Sequence, residues 1–181
     1  MEDKHIGVLG RLQLVLKIHG FNSQIIEAVD PVGNNPVSTL VVTIDDPKTA
    51  SGSRDIELRI VPPYGTDEDD KENLRIQLFS LICGDEAITN HPELFRFIIA
   101  LNTKLPLIGF HYSEALNLVF FNNFTTLSID EPGADDQIVV DVTNMCAYLL
   151  SMFGHMMLEA ATGQKQADQL IDEVAELYGP K

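Results

Sequence analysis

The stretch LNTKLPLIGFHYSEALNLVFFNNF, residues 101–124, decides how the middle of this chain folds. Pro106 has no amide hydrogen to donate, so a helix that enters the stretch has to end before it. The pattern beyond it predicts a strand over residues 107–112, a turn at residues 113–115 and a second strand over residues 116–124. The stretch therefore predicts a β-hairpin that follows a helix.

The second strand of this hairpin is apolar on both of its faces. Four consecutive apolar residues alternate between the two faces: Leu118, Val119, Phe120 and Phe121. Such a strand needs cover on both sides, from helices or from a second subunit. We therefore expect Leu118, Phe120 and Phe121 to contribute to a partner-binding or dimer surface.

The N-terminal residues 6–19 fit two interpretations, because their apolar residues alternate as in a strand and also keep helical spacing. The end of the segment favours the helix. A histidine, His19, meets the negative end of the helix dipole, Gly20 suits the left-handed turn, and Phe21 folds back onto the last turn. We expect a helix here.

Four extended segments follow. They are predicted at residues 25–29, 37–44, 56–61 and 74–82, from β-branched content or from alternation of apolar and polar residues. The links between them are rich in Pro, Gly and Asp and are short enough for neighbouring antiparallel strands. The segments predict a meander with one covered face and one solvent-exposed face.

Two helices flank the hairpin in the chain. The first runs from Pro92 to about Asn102, with Asn90 or His91 as its cap. The second covers residues 138–161 and carries one narrow polar stripe at steps of three and four: Asp141, Asn144, Tyr148, Ser151, His155 and Glu159. Because the rest of its circumference is apolar, the second helix is expected to pack against more than one layer.

This long helix also carries every methionine except Met1. Met145, Met152 and Met156 share one face with Leu149. Methionine is flexible and polarizable, which suits a surface that accepts varied apolar partners, but it also fills cores. Two interpretations stay open, core filling and a dimer or partner surface.

Beyond Gly163 the chain forms a short amphipathic helix, residues 164–178, beside a strongly acidic face. No internal repeat occurs. We expect one α+β domain over residues 1–163, with residues 164–181 appended as a C-terminal helix. Its antiparallel sheet is a meander plus a hairpin, flanked by helices.

The charge balance disfavours several classes of partner. Twelve Lys and Arg against 27 Asp and Glu give a net charge of −15. Nucleic acids and anionic lipids reward clustered basic residues, which this chain lacks, so neither is an expected partner. Cys83 and Cys146 have no CxxC spacing, and the first residues lack a signal-like apolar run, so we expect a cytoplasmic protein. Residues 138–161 could span a bilayer by length, but Asp141 costs ~2.5 kcal/mol or more in hydrocarbon, and a soluble helix is predicted.

No residue pattern predicts a catalytic group, a metal or a cofactor. The five histidines are scattered singly, and the acidic run at residues 67–70 lacks the spacing of an EF-hand loop. No phosphate-binding glycine loop and no Gly-x-Ser-x-Gly elbow occurs. We therefore do not expect an enzyme. The alternative is a small-ligand binder or enzyme with a pocket between the sheet and the long helix, lined by Tyr148, Ser151 and His155.

The order of elements and the stretch LFRFIIALNTKLPLIGFHYSEALNLVFFNNF, residues 94–124, resemble the YbjN-type sensory-transduction-regulator family, which shares its fold with type III secretion chaperones. The matching features are a first helix that closes on His19, a three-stranded meander, a helix that ends at Asn102, a hairpin and a long closing helix. The resemblance covers residues 6–163 and rests on apolar positions without specific chemistry. The segment 25–29 and the tail helix depart from it.

The resemblance implies a type III secretion chaperone-like fold and a polypeptide-binding adaptor, monomeric or homodimeric, with no catalytic residue. Chaperones of that fold present apolar grooves and strand edges to unfolded segments of a client. Together with the two-sided strand, this leads us to expect a chaperone-like regulator that forms a homodimer through the long helix or through residues 116–124.

Overall fold

The computed structural model describes residues 2–29, 36–61, 73–84, 87–107, 109–128 and 133–178. Ten elements follow one another in these ranges: α1 (Glu2–Ile18), β1 (Asn22–Val29), β2 (Pro36–Asp45), β3 (Ser53–Val61), β4 (Asn73–Cys83), α2 (His91–Asn102), β5 (Phe110–Ser113), β6 (Leu118–Ser128), α3 (Asp136–Ala161) and α4 (Ala167–Tyr178). This order confirms the α+β prediction, including the additional strand β1. Most of the predicted link between the first two strands, residues 30–35, and the acidic run at residues 67–70 lie outside the described residues.

The six strands form one sheet in the order β1-β2-β3-β4-β6-β5. Neighbours along the meander pair antiparallel, as do β5 and β6. In the register of β2 and β3, Leu40 stands opposite Leu58 and Val42 opposite Ile56. The predicted meander plus hairpin is therefore confirmed. Because β6 lies beside β4, the short strand β5 is an outer strand of the sheet, as is β1.

The hairpin begins and ends later than predicted. The strand expected over residues 107–112 starts only at Phe110, since residues 105–107 form a loop around Pro106. Ile108 lies outside the described residues. The turn occupies residues 114–117, where Asn117 has φ +47°, and β6 continues to Ser128. Residues 125–128 lie beyond residue 124, the predicted end of this strand. They are strand because Leu127 is buried, so the alternation continues past the apolar run.

The chain divides into two compact units. The first contains Met1–Phe79 and Phe124–Ala147, and the second contains Ser80–Asn123 and Tyr148–Lys181. The strands β4 and β6 and the helix α3 each contribute to both units.

In the first unit, α1 packs against β1 and β2 through Leu9, Leu12 and Leu16, which are all buried. One sheet face of this unit is fully apolar and buried: Leu40, Val42, Ile56, Leu58, Ile76 and Leu78. The alternate residues of β3 and β4, such as Glu57 and Arg59, are half-buried. The sequence alternation thus places one face of the strands in the core, as predicted. The other face is not the solvent-exposed face that was expected, because in β2 it includes the buried Thr39 and Val41.

The end of α1 has the predicted helix stop. Gly20 adopts φ +87°, and the N–H of Phe21 donates to the carbonyl of Leu16 at 3.0 Å. Nδ1 of His19 lies 2.9 Å from the carbonyl oxygen of Val15. These contacts satisfy carbonyl groups that the last turn of a helix leaves without partners.

In the second unit, α2 packs beside α4 and beside β5. The N–H groups of Thr89 and Asn90 both donate to the carbonyl of Ala161, at 2.8 and 3.0 Å, so the start of α2 is joined to the end of α3. Asn90 is the residue before α2, as predicted, but its side chain makes no capping hydrogen bond. Gly163, with φ +70°, ends α3 where the sequence predicts.

Among the described residues, α3 is the one helix long and apolar enough to cross a membrane by length and composition. Its fully buried residues include Val139, Cys146, Leu150, Phe153 and Met157. These positions recur at steps of three and four, so they form a single face of the helix. A face of this kind is typical of a helix that packs on other protein elements.

We predict opposite effects for alanine at Gly10, which is inside α1, and at Gly20, which follows its end. Gly20→Ala lowers the free energy of unfolding by about 1 kcal/mol, because an L side chain is strained at φ +87°. Gly10→Ala raises it by up to about 1 kcal/mol, because this glycine is inside the helix and an added Cβ meets no atom within 4 Å. Urea denaturation measures both changes. Equal effects of the two substitutions would contradict the helix stop.

Candidate functional site

The first candidate surface lies on one sheet face of the second unit. Val119 and Phe121 of β6 are fully buried, whereas Leu118 and Phe120 on the other face are half-buried. Leu81 of β4, the strand beside β6, is 49% exposed. The ring of His111 in β5 stacks on Phe120 with centroids 5.5 Å apart. We call Leu81, His111, Leu118 and Phe120 the sheet patch.

Packing within the sheet fixes the position of the patch. A Cβ atom added to Gly84 would lie 3.3 Å from Cδ2 of Leu118, so this leucine lies against main chain. An added Cβ at Gly109 would lie 2.4 Å from the ring of Phe121, which in turn packs edge-on against Phe110 at 5.1 Å. The two glycines therefore leave room for the large side chains on either face of the hairpin.

Three residues predicted for the partner surface are core residues in this structure. Phe121 and Leu149 are fully buried, and Met156 is 2% exposed. A side chain in a packed core cannot contact a partner unless the layers around it separate. For these three residues the core interpretation replaces the surface interpretation.

The other residues of the predicted surface lie at or near the protein surface. Leu118 and Phe120 are half-buried in the sheet patch. On α3, Met145 is 37% exposed and Met152 is half-buried. The methionine face predicted from helical spacing therefore lies at the border between the buried and the exposed sides of α3. Part of it is in the core and part of it is accessible.

The polar residues predicted to line a pocket lie on the outer side of α3. Tyr148 is 52% exposed, and Ser151 and His155 are half-buried. On the opposite side of the helix, Leu150 and Phe153 are fully buried. A pocket between sheet and helix would be lined by the buried side. The three polar residues lie on the other side of α3, away from its buried face.

The hydrogen bonds of β5 show which of its main-chain groups face outward. The N–H of Asn122 donates to the carbonyl of Gly109 at 2.7 Å, while Phe110 stands directly opposite Phe121. In an antiparallel pair this pattern means that Phe110 directs its own N–H and C=O away from β6. The same alternation directs the main chain of His111 toward β6 and that of Tyr112 outward.

The side chain of Asn102 occupies the outward groups of Phe110. Its Nδ2 donates to the Phe110 carbonyl at 2.8 Å, and its Oδ1 accepts the Phe110 N–H at 3.3 Å. The amide thus takes the place of a neighbouring strand at this residue. Among the described residues, no group is bonded in the same way to the outward N–H and C=O of Tyr112. The β5 edge is blocked at Phe110 and open at Tyr112.

An apolar stripe on α2 borders this open edge. His91, Phe95 and Ile99 follow one another at steps of four, and Phe95 and Ile99 are 41% and 67% exposed. The Tyr112 ring lies 5.1 Å from that of Phe95 and 5.6 Å from that of His91. We call His91, Phe95 and Ile99 the α2 stripe.

The turn of the hairpin adds to this surface. The hydroxyl of Tyr112 donates to Oδ1 of Asn117 at 2.6 Å, and Nε2 of His91 lies 3.3 Å from the same oxygen. Asn117 is thereby fixed in its left-handed conformation. The neighbouring Leu116 is 67% exposed. Apolar side chains therefore surround the open edge from the helix, the turn and the sheet.

Sequence reasoning missed Leu81, the α2 stripe and the role of Asn102. Two signals were present. Leu81 lies in an apolar run, residues 78–83 with a single serine, which has apolar residues on both faces of β4. Phe95 and Ile99 point away from Leu94 and Leu101 on a helical wheel, which predicts their exposure. No local signal identifies the partner of Asn102, because Phe110 becomes its neighbour only in the fold.

Two observations on the described residues concern metal binding and thiol chemistry. No group of three or more His, Cys, Asp or Glu among them could hold a metal ion. Burial raises the pKa of the Cys146 thiol to about 12, so the nucleophilic thiolate is scarce at neutral pH. What the second unit does present is exposed apolar surface beside unpaired main chain.

We predict that Asn102→Ala opens the β5 edge further. The substitution leaves the N–H and C=O of Phe110 without a protein partner, and it lowers the free energy of unfolding by about 1–3 kcal/mol. Hydrogen exchange of the Phe110 amide is expected to accelerate more than global destabilisation alone would cause. Asn144→Ala, at an exposed asparagine of α3, is the control and leaves that exchange unchanged. Similar exchange in the two variants would show that Asn102 does not protect the edge.

Neither a protein-family model nor a curated protein matches the chain. The resemblance to the YbjN-type family stays a prediction, and the function has to be argued from the sheet patch, the β5 edge and the α2 stripe.

Proposed function

We propose that this protein is a non-enzymatic, polypeptide-binding adaptor with a chaperone-like regulatory role and a type III secretion chaperone-like fold. One observation carries the proposal. The open β5 edge at Tyr112 lies beside the rings of the α2 stripe, and Phe120 and His111 lie on the other face of the same hairpin. Unpaired main chain bordered by apolar side chains suits an extended polypeptide better than it suits a small polar molecule.

An extended segment of a client would use both parts of this surface. Its main chain would pair with the outward N–H and C=O of Tyr112, as an additional strand does at a sheet edge. Its side chains would then alternate between the two faces of the sheet. On one face they would meet Phe95 and Ile99, and on the other they would meet His111 and Phe120. In this arrangement the main-chain hydrogen bonds give affinity for the client, and the rings on both faces select apolar side chains of the client.

The proposal also includes a homodimer. Leu81 and Phe120 in the second unit are accessible, and so is Met145 in the first unit. Exposed apolar side chains of this size are common sites of self-association. The dimer would form through α3 or through β6, as the sequence suggests.

A cytoplasmic location completes the proposal. Cys83 and Cys146 are buried and are not joined by a disulfide to any described residue, which suits a reducing compartment. The net charge of −15 favours solubility and disfavours anionic surfaces.

We predict that a charge in the sheet patch weakens polypeptide binding. Phe120→Asp and Leu81→Asp each reduce the affinity for a reduced, alkylated and permanently unfolded protein by about tenfold or more, since a buried contact with the client would have to desolvate a carboxylate. Fluorescence anisotropy of the labelled unfolded protein measures the affinity.

The matched control is Ile18→Asp, which introduces the same charge at an apolar residue of α1 that is 74% exposed. It is expected to change the affinity less than twofold, which is within ordinary surface variation. Equal affinities for all three variants and the original protein, with circular dichroism showing all of them folded, would refute the polypeptide-binding site.

The dimer is tested separately. We predict that light scattering at micromolar concentration gives twice the mass of one chain, and that Met152→Asp or Phe120→Asp either shifts the protein to monomer or unfolds it. A monodisperse monomer of the original chain would contradict the dimer. Self-association that persists in both folded variants would show that the interface lies elsewhere.

A further inference from the structure

The helix α4 has little intrinsic stability. It has 12 residues, and a helix of this length is marginal in water without tertiary contacts. Asp168, Asp172 and Glu176 follow one another at steps of four, a spacing at which like charges repel. Its last turn contains no basic residue that could offset the negative end of the helix dipole.

The apolar contact that docks α4 is small. Ala167, Leu170 and Val174 are buried, whereas Leu177 near the end of the helix is 54% exposed. The helix lies beside α2. Three buried side chains, one of them an alanine, give α4 less hydrophobic stabilisation than the long buried face gives α3.

Glu93 and Arg96 of α2 hold the start of α4. Oε2 of Glu93 in α2 accepts the N–H of Ala167 at 2.7 Å, and its Oε1 lies 3.0 Å from Arg96. Arg96 also reaches Asp168 at 2.6 Å. These hydrogen bonds, first that from Ala167 and then that from Arg96, lower the pKa of Glu93. We call Glu93, Arg96 and Asp168 the catch.

A second ion pair set lies in the linker before α4. Lys165 contacts Glu173 of α4 at 2.8 Å and Glu159 of α3 at 3.2 Å. Both contacts raise the pKa of Lys165, with Glu173 the larger cause. Without Arg96 or Lys165, acidic side chains would face one another across the contact. The docking of α4 therefore depends on these charges.

The helix to which α4 docks is also the helix that blocks the β5 edge. α2 carries Glu93 and Arg96 on the side of α4, and it carries Phe95 and Asn102 on the side of β5. A displacement of α2 would stretch the two hydrogen bonds between Asn102 and Phe110. It would also move the Phe95 ring away from Tyr112. All of these contacts lie within the second unit.

We infer that α4 is a releasable strap that holds α2 against β5 and thereby limits access to the β5 edge. The inference rests on the proposed function for its meaning, because the edge it controls is the proposed polypeptide site. With α4 docked, one outward residue of β5, Tyr112, is open. With α4 released, Phe110 also becomes available, and the edge offers two residues for pairing.

The test is hydrogen exchange of Arg96→Glu in the full chain. The new carboxylate lies beside Glu93 and Asp168, so the amides of α4 are expected to exchange about tenfold faster. The Phe110 amide, which Asn102 protects, is expected to accelerate with them. The double substitution Arg96→Glu with Asp168→Arg restores attraction across the contact and is expected to restore both exchange rates.

Lys104→Glu is the matched control, because it makes the same charge change on an exposed residue just beyond α2 and away from the catch. It is expected to leave both exchange rates unchanged. Faster exchange in α4 with an unchanged Phe110 amide would overturn the inference, and so would unchanged exchange in α4. If Arg96→Glu unfolds the second unit, Arg96→Gln gives the same comparison with a milder change.

Affinity for the unfolded protein, measured on the same variants, separates the two proposals. Coupled exchange together with tighter binding in Arg96→Glu supports both. Coupled exchange with no binding by any variant refutes the polypeptide site and leaves the strap standing. Unchanged exchange with binding intact refutes the strap alone.

Discussion

Main-chain groups on the outer strands of a sheet need partners, and in this protein side-chain amides from the neighbouring helices supply some of them. In the first unit, Nε2 of Gln13 in α1 donates to the carbonyl of Ser23 in β1 at 3.0 Å. In the second unit, Asn102 of α2 satisfies both outward groups of Phe110 in β5. Each amide ties a helix to an outer strand, and it also stops another chain from pairing there. The outward main-chain groups of Tyr112 have no such partner, and this open position is therefore a specific feature of the sheet.

The apolar side chains that surround the open edge belong to strands and helices with more than one apolar face. β6 buries Val119 and Phe121 and leaves Leu118 and Phe120 half-buried, and α2 buries Leu94 and leaves Phe95 accessible. A folded chain of this size can leave some apolar surface exposed without any function. The combination with unpaired main chain is more informative, because an extended polypeptide satisfies both needs at once.

Charge has a structural use in this acidic protein. Several of its 12 basic residues form ion pairs within the fold, among them Arg11 with Asp136, Arg54 with Asp46, and the two that hold α4. The pair of Arg54 and Asp46 is almost completely buried, where an unpaired charge would be costly. Basic side chains engaged in this way are poorly placed to bind an external anion. They bring acidic segments together, which makes the docking of α4 responsive to a change of charge.

Local physics allowed much of the fold to be predicted. The helix stop at Gly20 needs a residue in the left-handed conformation, and this need arises from the adjacent helix end alone. The alternation of Ile56 and Leu58 follows from the two-residue repeat of a strand. The hairpin predicted over residues 107–124 was placed correctly, but its ends were not. Strand ends are set by pairing with distant residues, as the burial of Leu127 shows.

The sequence by itself determined the order of the elements, their periodicity and the absence of a local catalytic motif, since these depend on contacts between residues close in the chain. Only the tertiary structure decided which apolar side chains are accessible. Phe120 and Phe121 are neighbours of the same type, yet one is half-buried and the other is fully enclosed, because helices and strands distant in sequence cover only one of the two faces. For the same reason Met145 is accessible and Met156 is buried. The contact between Asn102 and Phe110 likewise exists only because the fold places α2 beside β5.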